Sequence, residues 1–223
     1  IVRRAIVESV GGFDTSLRTC EDWDLWQRIA RTGAQFGAIE EILALYRMQP
    51  ASALIDGFQM LADGLRVVKH GHAPDIRVKN PHPDHANGLP VEQLPGQVFY
   101  FLCWCVGLVI GCGKDARSLL KLLEEYNYPG LDPHSVAQNI YRAAVLPTCQ
   151  TAPSWIELWP KVEHHIDEYL LALEKQAKAN CLARRARVAL EHMILKHVPS
   201  LLPLTVGSTH AARTEVTEPI KDI

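Results

Sequence analysis

The feature that most constrains this chain is an acidic run, Glu21-Asp22-Trp23-Asp24, at the head of an apolar-periodic stretch that Gly33 closes. Leu25 and Ile29, with Trp26 and Ala30 beside them, form one apolar side, so the spacing predicts a helix over Glu21 to Arg31. Glu21, Asp22 and Asp24 crowd its first turn, where the helix dipole favours negative charge. Upstream, Val2, Ala5, Ile6 and Val10 recur at helical spacing. They predict a short helix, or a strand-to-helix joint, ending at Gly11-Gly12, where positive φ costs little. Asp14-Thr15-Ser16 is turn chemistry.

Downstream, Phe36 to Ile39 and Ile42 to Tyr46 read as short strands. Leu54 to Lys69 carries Ile55, Phe58, Leu61, Ala62, Leu65 and Val68 on one face, an amphipathic helix. His72 to Pro95, rich in Pro, His, Asn and Gly, reads as a long connection. Four helices are expected after it: Gln97 to Gly111, Asp115 to Tyr126, Pro133 to Val145, and Ser154 to about His197. Asp132-Pro133 supplies an N-cap and first-turn pair, and Ser154 with Glu157 spells a capping box. Pro160 predicts a kink or break one turn into the last helix. The tail from Pro199 has no periodicity, and poor order is expected there.

The expected organisation is a first part over 1–72, a linker over 73–96, a helical region over 97–198 and a tail over 199–223. Val98 to Cys112 contains no charge but falls short of the roughly 20 residues that cross a bilayer. It reads as a buried central helix, with a membrane-associated segment as the other reading.

Composition narrows the partners. A net charge of −2, with 22% charged residues, gives no footprint for nucleic acid or an anionic membrane. Six cysteines, two of them inside the apolar run at Cys103 and Cys105, do not form a disulfide framework, so a reducing, cytoplasmic setting fits. His70, His72, His82 and His85 read as solvated loop histidines, and His164-His165, adjacent on a helix and so about 100° apart, are not expected to share an ion. Pro83 breaks the His82-x-x-His85 spacing, and no cysteine or carboxylate pair completes a tetrahedral set.

Taken as an ordered set, Gly11-Gly12-Phe13-Asp14, then Glu21-Asp22-Trp23-Asp24-Leu25-Trp26-Gln27-Arg28, then Tyr46-Arg47 resemble the C-terminal part of the catalytic domain of family 2 glycosyltransferases. The resemblance covers about Ile1 to Ser52. It implies an α/β fragment, the end of a GT-A type nucleotide-sugar transferase domain, followed by a mainly α-helical region. It implies Asp22 as catalytic base, Glu21 as its neighbour in the acceptor site, and Trp23, Arg28, Tyr46 and Arg47 as substrate-binding residues. Arg28 would either meet diphosphate or pair with Asp24 one turn earlier on the helix. Trp23 and Trp26 either stack on a sugar ring or pack in the core. Gln49 stands where the family often has a histidine.

Residues i and i+2 of a helix point apart, so Asp22 and Asp24 are not expected to grip one metal ion. A divalent cation, magnesium or manganese, is expected only through a donor-binding half lying upstream of Ile1, and the present chain is expected to be inactive alone. The implied partners are a nucleotide-sugar donor and a glycan or lipid acceptor. The reading from another class is a non-catalytic helical module over about Gln97 to His197 that docks a partner protein or a membrane surface. Arg184, Arg185 and Arg187 would then serve either as a solvated face or as a docking contact.

Overall fold

The structure, a computed structural model, describes residues 1–44, 49, 56–126, 128 and 130–196. Its elements are α1 (Arg4–Ser9), α2 (Glu21–Arg31), α3 (Gly57–Gly71), α4 (Leu94–Gly111), α5 (Pro133–Ala144), α6 (Trp155–Ala177) and α7 (Leu182–Leu195), with short 3₁₀ segments between them. The described residues contain no β-strand, so the expected α/β fragment is corrected to a mainly helical fold. The reason lies in pairing. A strand needs a neighbour for its ladder, and no second extended segment lies beside 36–39 among the described residues. Phe36, Ile39, Ile42 and Leu43 accordingly stand exposed. The end of the second expected strand, at 45–46, and the expected tail, at 199–223, fall outside the described residues.

Helix α4 is the centre of the larger core. Val98, Leu102, Cys103, Cys105, Val106, Leu108 and Ile110 are fully buried there, packed among Met60 and Leu61 of α3, Ile140 and Ala143 of α5, and Ile166 and Tyr169 of α6. α3 therefore shares the core of α4 to α7. Its Gly57 lies against the backbone of Cys105, and its Gly64 faces the ring of Phe101. α5 approaches still closer: a Cβ at Gly111 would overlap the carbonyl of Ala144. With the 3₁₀ turn ahead of it, α4 forms an apolar stretch of 21 residues, Val91–Gly111, long and apolar enough to cross a membrane, and 56% buried within the fold. That is longer than the charge-free run suggests, because Glu92 is the single charge in it.

Local sequence explains most boundaries. Asp56 caps α3 by accepting from the Gln59 amide at 3.1 Å. Asp132 caps α5 through the amides of His134 and Ser135, as Asp132-Pro133 predicts. Ser154 does not form its capping box. It already has helical φ and ψ, and its hydroxyl donates to the Thr151 carbonyl. Pro160 does not interrupt α6, which runs on to Ala177. The break comes later, where Lys178 and Cys181 both turn left-handed, so the single helix expected from Ser154 to His197 is two. The Glu174 carboxylate accepts from the Ala183 amide at 2.8 Å and closes the new N-terminus. The helix expected over 115–126 is a 3₁₀ segment, Arg117–Glu125, whose Leu120 carbonyl accepts from the Gln176 side chain.

Arg187, one of three arginines in the expected basic patch, is taken up internally. It pairs with Glu163, Asp167 and Glu191 and lies over the ring of Trp159. Arg184 and Arg185 are exposed on α7.

Candidate functional site

A second, smaller apolar cluster joins Val10, Leu25 and Ile29, with Ile6, Val7 and Ala34 against it. It fixes α1 on α2 and leaves the acidic start of α2 beside the turn Gly11-Gly12-Phe13-Asp14. Both glycines have positive φ, 85° and 69°, which lets the chain reverse at once after α1. That reversal turns the carbonyls of Val10 and Gly12 inward, and the Arg28 guanidinium donates to both, reaching Gly12 at 2.7 Å. Arg28 is 2% exposed, and its Nε donates to Asp24 Oδ2 at 2.9 Å. Of the two roles open to Arg28, the structure shows the pair with Asp24, extended to the two turn carbonyls.

Asp24 is buried too, and it holds a second cation. Arg77, from the connection after α3, donates to Asp24 Oδ1 at 2.8 Å, and also bonds Asp75 and Asp14. His70 Nδ1 lies 3.1 Å from the same guanidinium. Hydrogen bonds to Asp75 raise the Arg77 pKa, against the effect of burial and with the help of Asp24. Burial pushes the Asp75 carboxyl up, but the bonds from Arg77 outweigh it and hold the group below its usual range. Asp14 is lowered chiefly by the hydroxyl and amide of Ser16. An open cavity of about 320 Å³ lies over this network, lined by Val10 to Asp14, Arg28 and Arg77.

Asp22 sits elsewhere. Two residues are about 200° of helix rotation, so Asp22 lies on the far side of α2 from Asp24 and this cavity. It is exposed, and one carboxylate oxygen accepts from the Trp23 amide at 2.7 Å. Glu21 is half-buried. Trp23 packs its ring 5.5 Å from Phe101 of α4. Its indole N–H donates to the Gln27 side-chain oxygen at 3.0 Å, while the Gln27 nitrogen donates to the Val67 carbonyl. Trp26 is 38% exposed on the outer face. Tyr46 and Arg47 lie outside the described residues.

The lead-in to α2 is held by α3. Asp63 Oδ2 accepts the amides of Arg18 and Thr19 at 3.0 Å, the Thr19 hydroxyl at 3.1 Å and the Gln59 amide at 2.9 Å. Burial opposes the Asp63 charge, but these bonds outweigh it and lower the pKa. At the other end of α2, buried Arg31 donates to four carbonyls, those of His70, Ala73, His85 and Ala86, and so orders the connection after α3. Asp63, Arg31 and Arg77 are the functional-scale residues that sequence reading passed over. Asp63 falls off the expected apolar face of α3 although it is buried in the structure, and Arg77 falls in a stretch read as loop.

Among the described residues no three His, Cys, Asp or Glu side chains converge on a metal position. Asp24 is already committed to two arginines, so these residues do not fit a divalent cation. The rings of His82 and His85, within the connection, lie 5.4 Å apart and tilted by 39°, and His165 Nε2 meets the Gly113 carbonyl. No family of proteins, no curated protein and no solved structure matches the chain in the three comparisons made.

Proposed function

We propose that this chain is the acceptor-side part of an inverting glycosyltransferase that uses a nucleotide-diphosphate sugar, resembling family 2, with Asp22 as general base. The observation that carries the reading is the setting of Asp22. An exposed carboxylate stands in the first turn of a helix whose opposite face is locked by buried ion pairs and carbonyl contacts. Catalysis by a base requires such rigidity, because the carboxylate must meet the acceptor hydroxyl within hydrogen-bond reach. In the reaction the Asp22 carboxylate takes the hydroxyl proton as the acceptor oxygen bonds to the anomeric carbon. The bond from that carbon to the donor phosphate breaks on the opposite face, and the nucleoside diphosphate departs with its electron pair. Glu21 flanks the acceptor, and a divalent cation belongs to the donor side, beyond these residues.

The test is stereochemical. The encoded protein is incubated with α-linked UDP-glucose, UDP-galactose and GDP-mannose, and product anomers are read by NMR. A β-linked product is expected; an α-linked product overturns the inverting mechanism.

By length and composition Val91–Gly111 is compatible with a membrane setting for a lipid-linked acceptor, while the core-facing residues of α4 are enclosed by the fold. One feature favours the second reading, a docking module: Arg184, Val188 and Leu195 share one exposed stripe of α7. That stripe would serve partner binding whether or not Asp22 is a base.

A further inference from the structure

We infer that Asp63 is a positioning residue for the Asp22 base, a role that rests on the glycosyltransferase reading above. α2 begins without a side-chain cap. The residue before it, Cys20, has left-handed φ and ψ of 59° and 16° and no side-chain bond to the first-turn amides. A non-glycine residue held in that region persists only where its surroundings over-determine it. The surroundings here come from α3, whose Asp63 and Arg66 grip residues 16–19, with Gln59 bonded to Asp63 behind them.

Asp63 takes both amides and the hydroxyl of Arg18-Thr19 on one oxygen, and Gln59 holds that oxygen from the other side. Arg66 donates to the Ser16 hydroxyl at 2.9 Å. Thr19 is 5% exposed, so its amide has no water to replace a lost partner. The Cys20 carbonyl then accepts the Asp24 amide at 3.0 Å and starts the helix. The path is short: Asp63 fixes residues 18 and 19, these fix the left-handed turn at Cys20, and that turn sets where the first turn of α2 presents Asp22. Burial pushes the Cys20 thiol up to about 11.

The test uses Asp63→Ala and Thr19→Val, with Asp63→Glu and exposed Glu92→Gln as comparisons. Amide hydrogen exchange in Asp63→Ala is expected to quicken about tenfold at residues 18–24 and to stay unchanged in α5 to α7. In the encoded protein, nucleoside diphosphate release from UDP-glucose, UDP-galactose or GDP-mannose is followed in the same variants. A displaced base lowers kcat about 100-fold with donor KM within about twofold, and Asp63→Glu restores part of kcat. Unchanged exchange at residues 18–24 overturns the clasp, whatever Asp22 does. Quickened exchange with wild-type kcat overturns the positioning role while leaving the clasp. Wild-type kcat in Asp22→Asn instead overturns the base assignment, and the clasp is then scored on exchange alone.

Discussion

Asp24 and Arg77 lie 53 residues apart in sequence, yet they meet at 2.8 Å with Asp24 almost wholly buried. This pair ties the first helical turn of α2 to the connection that follows α3. Arg28 stands on the other side of the same carboxylate and carries the tie on to the double-glycine turn. The acidic helix is thus a hub for three segments, and Asp22 stands exposed on its outer side.

Removing Asp24 strands a buried arginine. Asp24→Ala is expected to destabilise the fold by about 3–5 kcal/mol, the usual cost of breaking a buried pair from one side. Urea unfolding followed by circular dichroism measures it. A loss under about 1 kcal/mol would show that the pair contributes little.

The carboxylates of Asp14, Asp63 and Asp75 all have lowered pKa values in the fold. A group lowered below its unfolded value of about 3.9 contributes stability that is complete above that pH and is lost as pH falls through the folded value. Stability is therefore expected to be flat from about pH 7 to 5 and to fall below about pH 4. Asp75→Asn should lower the plateau and flatten the acid limb. Stability that rises between pH 5 and 3 would reverse the assigned sign.

Arg31→Met removes the donor to three connection carbonyls, those of Ala73, His85 and Ala86, and to the His70 carbonyl at the end of α3. A charged hydrogen bond contributes about 1.5–3 kcal/mol, so local opening of 74–90 is expected to rise at least tenfold. Limited proteolysis should then cut within that segment first. An unchanged cleavage pattern would mean that the connection holds itself.

Gly111→Ala tests the closest approach in the core. The added methyl meets the backbone of Ala144, which cannot yield as a side-chain tip would. A loss of about 1–3 kcal/mol is expected from overpacking, despite the better helix propensity of alanine. A stabilised variant would show that α4 and α5 can shift apart.

Much of this fold can be read from sequence because its signals are local. The Leu25 and Ile29 spacing marks α2, and Asp132-Pro133 marks the start of α5; α3 is a helix as expected, but its face is turned, with Phe58 and Ala62 exposed and Met60, Leu61, Gly64, Val67 and Val68 buried. The strands expected over 36–39 and 42–46 are absent from the described residues there, because a short apolar run states only a preference, whereas a ladder needs a partner that propensity cannot supply. The α6–α7 break was invisible because non-glycine residues, Lys178 and Cys181, make its left-handed turns. Asp22 and Glu21 stand out in sequence because they head a helix. Besides their local bonds to Gln59 and Asp75, Asp63 and Arg77 reach partners across 44 to 63 positions, and no local window contains both ends of those contacts.

The most direct measurement is transfer by Asp22→Asn in the encoded protein, with nucleoside diphosphate release and circular dichroism followed together. Loss of a general base lowers rate by about 10²–10⁴-fold, and an exposed side chain changed to its isostere should leave the fold intact. That loss is expected with an unchanged spectrum and unfolding midpoint. Wild-type release from a folded Asp22→Asn protein would contradict it.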